Sequence, residues 1–107
     1  MAGYIPRTGA RKKRDILGKR LSGLEGACAR GESAERVSQA IGRVRDAQLG
    51  VLKCQLYELE GRGSKIRTES ALRTKDEEIA WWEEASDAEV VRFFAGEVPS
   101  AGTLTWL

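Results

Sequence analysis

The sequence predicts an all-α fold: an antiparallel helical hairpin, two short helices and a flexible tail. Apolar residues recur at spacings of three and four over most of the chain, as in helices with one buried face. The pattern Ser/Thr-x-x-Glu, which begins many helices, occurs twice in the second half. Both prolines lie outside the periodic segments. These observations place the helices at about 11–30, 34–60, 75–85 and 87–95.

The first helix of the hairpin carries a narrow apolar stripe. Its four members follow at spacings of four, three and four, so they share one helical face. They are Leu17, Leu21, Leu24 and Cys28. Two glycines and a proline interrupt the first ten residues, and such residues break regular structure. We therefore expect an extended basic arm at 1–10, ahead of a single helical domain at 11–95.

The second helix has the clearest pattern in the chain. Gly31 is a good terminator for the helix before it, and Ser33 is a good N-cap for the helix that follows. The apolar stripe of the second helix extends past the first helix by about seven residues, or roughly 10 Å. The C-terminal helices or a second copy of the chain must cover that excess, and the two solutions are compatible. The stripe is the predicted oligomer interface, and its members are Val37, Ile41, Val44, Leu52, Leu56 and Leu59.

Two capping-box patterns predict the two short helices. Thr74-x-x-Glu77 precedes the first of them, and Ser86-x-x-Glu89 precedes the second. The segment at 64–74 stays open between a short strand, an irregular crossover and a helical turn.

The C-terminal segment at 96–107 is predicted to be a flexible tail. A glycine and a proline follow the last helix, and both residues are typical of helix ends. Leu104, Trp106 and Leu107 are then either exposed or docked on the domain.

Most of the aromatic residues lie in the two short helices, as two adjacent pairs. The pairs are Trp81 with Trp82 and Phe93 with Phe94. Neighbouring residues point to different sides of a helix, so we expect one member of each pair in the core and the other at the surface. Two interpretations stay open. The pairs form a small additional core that packs on the hairpin, or they form a partner patch that the surrounding acids make attractive to a basic partner.

Charge is distributed unevenly along the chain. Residues 1–20 carry seven basic residues and one acid, whereas residues 76–107 carry eight acids and one base. A run of cations at a helix start opposes the helix dipole, and binding of phosphates would account for it. The predicted anion or nucleic-acid contacts are Arg7, Arg11, Lys12, Lys13, Arg14, Lys19 and Arg20. The alternatives are a solvated arm or attraction to the acidic third, within one chain or head-to-tail between copies.

Several classes of function are disfavoured by composition. The chain has no histidine, which removes Ser-His-Asp triads and zinc-bound imidazole. We expect no catalytic residues, no cofactor, no metal and no small-molecule substrate. The two cysteines, Cys28 and Cys54, would lie roughly 30 Å apart along the hairpin, too far for a disulfide. Free thiols, the lack of a signal-peptide pattern and the lack of a long apolar run predict a cytoplasmic protein without a membrane partner.

These observations favour a non-catalytic protein-interaction or assembly module that self-associates through its helical hairpin. Its partner is then another copy of the chain or a different protein. The alternative is a small nucleic-acid-binding accessory protein that uses the basic arm and the first helix.

Overall fold

The all-α prediction is confirmed in the computed structural model, which describes residues 7–61 and 65–107. Four α-helices and one 3-10 helix make up this part of the chain, and no strand occurs in it. The elements are α1 (Arg7–Ala29), α2 (Ala34–Glu60), α3 (Lys65–Glu84), α4 (Asp87–Phe93) and the 3-10 helix (Pro99–Thr103). Helix α2 packs against α1, α3 and α4, and the 3-10 helix packs on α1.

The hairpin of α1 and α2 has the predicted connection. Gly31 has a φ of +69°, a left-handed conformation that glycine adopts without strain. The Ser33 hydroxyl accepts a hydrogen bond of 3.3 Å from the Arg36 N–H and so caps α2. Helix α1 begins four residues earlier than predicted, so residues 7–10 of the expected extended arm are helical. Burial of Ala10 favours this extension, and residues 1–6 lie outside the described part of the chain.

Helix α3 is longer than the predicted helix at 75–85, and it includes most of the segment left open. Thr74 is not an N-cap, because it lies inside α3 and its hydroxyl donates a hydrogen bond of 3.0 Å to the Ser70 carbonyl. Ala71 and Leu72 are half-buried and extend the packed face of α3 towards its N-terminus. The capping-box pattern at Thr74 therefore gave a start that was ten residues too late.

The second capping box is confirmed at the start of α4. The Ser86 N–H donates to the Glu89 carboxylate at 3.0 Å, and the Glu89 N–H donates to the Ser86 hydroxyl at 3.2 Å. The hydrogen bond from the Ser86 N–H to the Glu89 carboxylate lowers the pKa of Glu89, and the Ser86 side chain lowers it further.

The C-terminal segment differs from the predicted flexible tail, because it packs on α1. Val98 and Ala101 are almost fully buried. The Ser100 N–H donates a hydrogen bond of 2.7 Å to the Glu25 carboxylate on α1. Of the three apolar residues left open as exposed or docked, Leu104 and Leu107 pack against the core and Trp106 is exposed. The buried core thus draws on the chain beyond residue 95.

Candidate functional site

The predicted oligomer interface lies mostly inside the single chain. Val37, Ile41 and Val44 have no exposed surface, and Leu52 is buried as well. Leu56 and Leu59 are half-buried. The C-terminal helices fold back on α2 and cover its excess length within one chain. This is one of the two solutions predicted from the sequence. The stripe therefore offers little free surface to a second copy.

A groove with basic walls runs between α1 and α2. Its volume is about 450 Å³, and an adjoining hollow of about 250 Å³ extends it towards the N-terminal half of α1. We name this surface the basic groove; its cations are Lys13, Lys19, Arg20, Arg30, Arg36 and Arg43. All six side chains are exposed. The lining acids are Glu32 and Asp46.

Most of the groove cations are not neutralised by ion pairs. Arg30 is paired, since its Nε donates to the Glu32 carboxylate at 2.9 Å. The other five cations have no carboxylate within 4.0 Å among the side chains at 9–61 and 69–107. Five exposed like charges around one open groove produce a positive potential that attracts anions.

The basic groove lies on the side of α2 opposite to α3 and α4. Residues two positions apart on a helix point about 200° apart. Ser38 lies two positions after Arg36, and Arg45 lies two positions after Arg43. Both Ser38 and Arg45 donate hydrogen bonds to the Asp87 carboxylate of α4, at 2.6 and 3.0 Å. The C-terminal acidic elements therefore leave the groove open and do not contact it.

The predicted anion contacts divide into three groups. Lys13, Lys19 and Arg20 line the groove. Three further cations of α1 are exposed but do not line it; they are Arg11, Lys12 and Arg14. The side chain of Arg7 lies outside the described residues.

Sequence reasoning missed the contribution of α2 to the basic groove. Arg36 and Arg43 are seven positions apart, which places them on one face of α2. Because their positions fall away from the apolar stripe of α2, helical spacing applied to charged residues would have found them. Arg30 adds a third cation at the turn between the two helices.

The aromatic pairs divide between core and surface, as predicted. Trp82 and Phe94 are buried, at 3% and 8% exposure, whereas Trp81 and Phe93 are 43% and 58% exposed. The rings of Trp81 and Phe93 lie 6.4 Å apart between centroids. One member of each pair therefore belongs to the core and the other lies at the surface, and the partner patch stays a prediction.

Exposed carboxylates flank Trp81. Glu77 lies four positions before it and Glu84 three positions after it, so both neighbour Trp81 on the surface of α3. We name the surface formed by Trp81, Phe93, Glu77 and Glu84 the acidic aromatic patch. Arg92 is the only basic residue at 76–107.

The thiols show no feature of a reactive site. Cys28 and Cys54 are both free, and Cys28 is buried. Burial raises the pKa of the Cys28 thiol, and the nearby Glu25 carboxylate raises it further. A raised pKa keeps the thiol protonated and weakly nucleophilic. Across the described residues, no group of three Cys, Asp or Glu side chains is arranged to hold a metal ion.

None of the helices in the described part of the chain combines the length and the apolar character needed to cross a bilayer. The chain matches no protein-family model, no curated protein and no solved structure.

Proposed function

We propose that this chain is a non-catalytic binding domain that binds nucleic acid through the basic groove. The observation that carries the proposal is the set of five exposed cations on one open face of the hairpin, none of which forms an ion pair with a described side chain. Nucleic-acid backbones present closely spaced phosphates, and exposed Lys and Arg side chains neutralise them.

Both helices of the hairpin contribute to this surface. Lys13 and Arg20 lie on α1, and Arg36 and Arg43 lie on α2, so a bound strand would contact both helices. Among the described residues, the groove lining includes no aromatic ring on which a base could stack. We therefore expect binding through phosphates, with little preference for base sequence.

Self-association through the hairpin stripe receives less support. Val37, Ile41 and Val44 would be exposed to a second copy only if the packing around α2 opened. Exposing buried apolar side chains costs about 1.5–3 kcal/mol for each of them. A binding function on the open face of the hairpin needs no such rearrangement.

The test compares two variants that have the same net charge. Arg36→Ala/Arg43→Ala removes two groove cations, whereas Arg73→Ala/Arg92→Ala removes two exposed arginines from α3 and α4. Fluorescence anisotropy with a short labelled duplex at about 50 mM salt measures the affinity of each variant. We expect the groove variant to lose about tenfold or more and the control to stay within about threefold of the original chain.

Two results would oppose the proposal. Equal losses in both variants would mean that net charge, and not the groove, attracts the duplex. No measurable binding by the original chain at low salt would remove nucleic acid as the ligand class.

A further inference from the structure

We propose that the acidic aromatic patch of one molecule docks on the basic groove of a second copy, which gives weak head-to-tail association. This inference concerns the contact between copies and does not depend on nucleic acid as a ligand of the groove. The hairpin stripe takes no part in it, so the contact needs no opening of the core.

The position of the two surfaces prevents them from meeting within one molecule. The basic groove lies on one side of α2, and α3 and α4 pack on the other side, where Arg45 and Ser38 bind Asp87. Opposite charges that cannot meet within one molecule can pair only with those of another molecule. Attraction between the basic and the acidic parts, left open from the sequence, is thereby assigned to a contact between copies.

The two surfaces are complementary in charge. The patch presents the exposed carboxylates of Glu77 and Glu84, and Asp76 and Glu83 are exposed beside them on α3. The groove presents five cations without an ion pair. Opposite charges that face each other across an interface speed association and fix its orientation.

The two surfaces are also complementary in apolar character. Ile16 is 41% exposed and lines the hollow together with Lys13 and Arg20. An exposed aliphatic side chain among cations can contact Trp81, whose ring also attracts a guanidinium by a cation–π interaction. A different protein would have to present the same combination of carboxylates and exposed rings to the groove. This chain already carries that combination on its own surface.

We expect the contact to be weak, and we expect it to set no fixed number of molecules in the assembly. Two exposed rings with flanking carboxylates cover less surface than the roughly 800 Å² per partner of a stable complex. Each molecule has one groove and one patch on different elements, so the contact is heterologous and chains of molecules can grow with concentration. Screening of exposed charges makes the contact sensitive to salt.

The experiment is sedimentation velocity of the full chain over a range of micromolar concentrations. We expect the average mass to rise with concentration at about 50 mM salt and to return to the monomer mass above about 200 mM. Glu77→Lys/Glu84→Lys should abolish the rise while Trp81 and Phe93 stay in place. The control is Tyr57→Ala, which removes an exposed aromatic ring of α2 outside both surfaces, and it should associate like the original chain.

A mixing experiment tests the head-to-tail geometry. Arg36→Ala/Arg43→Ala weakens only the groove, and Trp81→Ala/Phe93→Ala weakens only the patch, so each variant alone should remain monomeric. An equimolar mixture retains one intact groove and one intact patch, so we expect dimers and no larger species. Circular dichroism of each variant verifies that it is folded.

Three results would overturn this inference. They are a monomer at every concentration in low salt, association that ignores salt, and association that survives the patch variants. Binding of a basic protein to the patch without any self-association would identify a different occupant and would equally contradict it. Trp81→Ala/Phe93→Ala leaves both the groove and the net charge unchanged, so its affinity for a duplex separates failure of this inference from failure of the proposed function.

Discussion

Arg43 and Arg45 lie two positions apart on α2 and point to opposite sides of it. Arg43 is exposed and lines the basic groove. The guanidinium of Arg45 donates a hydrogen bond of 3.0 Å to the Asp87 carboxylate of α4. Two arginines close together in sequence thus have different surroundings: Arg43 faces the open groove, and Arg45 contacts α4.

Substitution of each arginine by alanine should separate these roles. Arg43→Ala should change the free energy of unfolding by less than about 0.5 kcal/mol, since it removes an exposed side chain. Arg45→Ala should cost about 1–2 kcal/mol, because it leaves the Asp87 carboxylate with only the Ser38 hydroxyl as partner. Urea denaturation measures both values, and equal costs would show that the Arg45 contact does not hold α4.

The two capping-box patterns should respond differently to alanine. Ser86→Ala should destabilise the protein by about 1 kcal/mol, because it removes the N-cap of α4. Thr74→Ala should be neutral or slightly stabilising, because alanine favours the interior of a helix more than threonine does. The check is the urea midpoint of each variant. A larger loss for Thr74→Ala than for Ser86→Ala would contradict the position of Thr74 inside α3.

Adjacent tryptophans should differ in their contribution to stability. Trp82→Ala removes a buried ring that lies 4.8 Å from Phe93 and 5.6 Å from Phe94 between centroids, and it should cost about 3–5 kcal/mol. Trp81→Ala removes a ring that is 43% exposed, and it should cost about 1 kcal/mol. Thermal unfolding followed by circular dichroism measures both losses. A reversed order would contradict the division of the aromatic pairs between core and surface.

The two thiols should differ in reactivity. Cys28 is buried with a raised pKa, whereas Cys54 is half-buried, so an aromatic disulfide reagent should modify Cys54 first. A raised pKa in the folded state means that the contribution of Cys28 to stability is fully present below its ordinary pKa. That contribution is lost as pH rises towards the raised value. Mass spectrometry of the singly modified protein identifies the faster thiol, and faster modification of Cys28 would disprove its burial.

Much of the fold could be predicted from the sequence. Helix α2 begins at the predicted residue because Gly31 ends the helix before it and Ser33 caps its start. The start of α3 could not be predicted in this way. Thr74 and Glu77 match a capping box, but a local pattern does not reveal that Leu72 is half-buried and that the helix continues upstream of Thr74. Tertiary packing determined the length of α3.

The candidate site could be predicted only in part. The apolar stripe identified the buried face of α2, but helical spacing alone does not distinguish burial by the chain itself from burial by a second copy. Cations such as Lys13 and Arg20 were found from their density in the sequence. Arg36 and Arg43 join them only because α1 and α2 are antiparallel, which brings residues more than twenty positions apart to one groove.

The most direct test of the basic groove is the salt dependence of its affinity for a short duplex. If the five groove cations without an ion pair contact phosphates, the logarithm of the association constant should fall with the logarithm of salt concentration with a slope of about −4 to −5. In Arg36→Ala/Arg43→Ala the slope should become shallower by about 2. A slope near zero for the original chain, or an unchanged slope in the groove variant, would contradict the proposal that the groove binds nucleic acid.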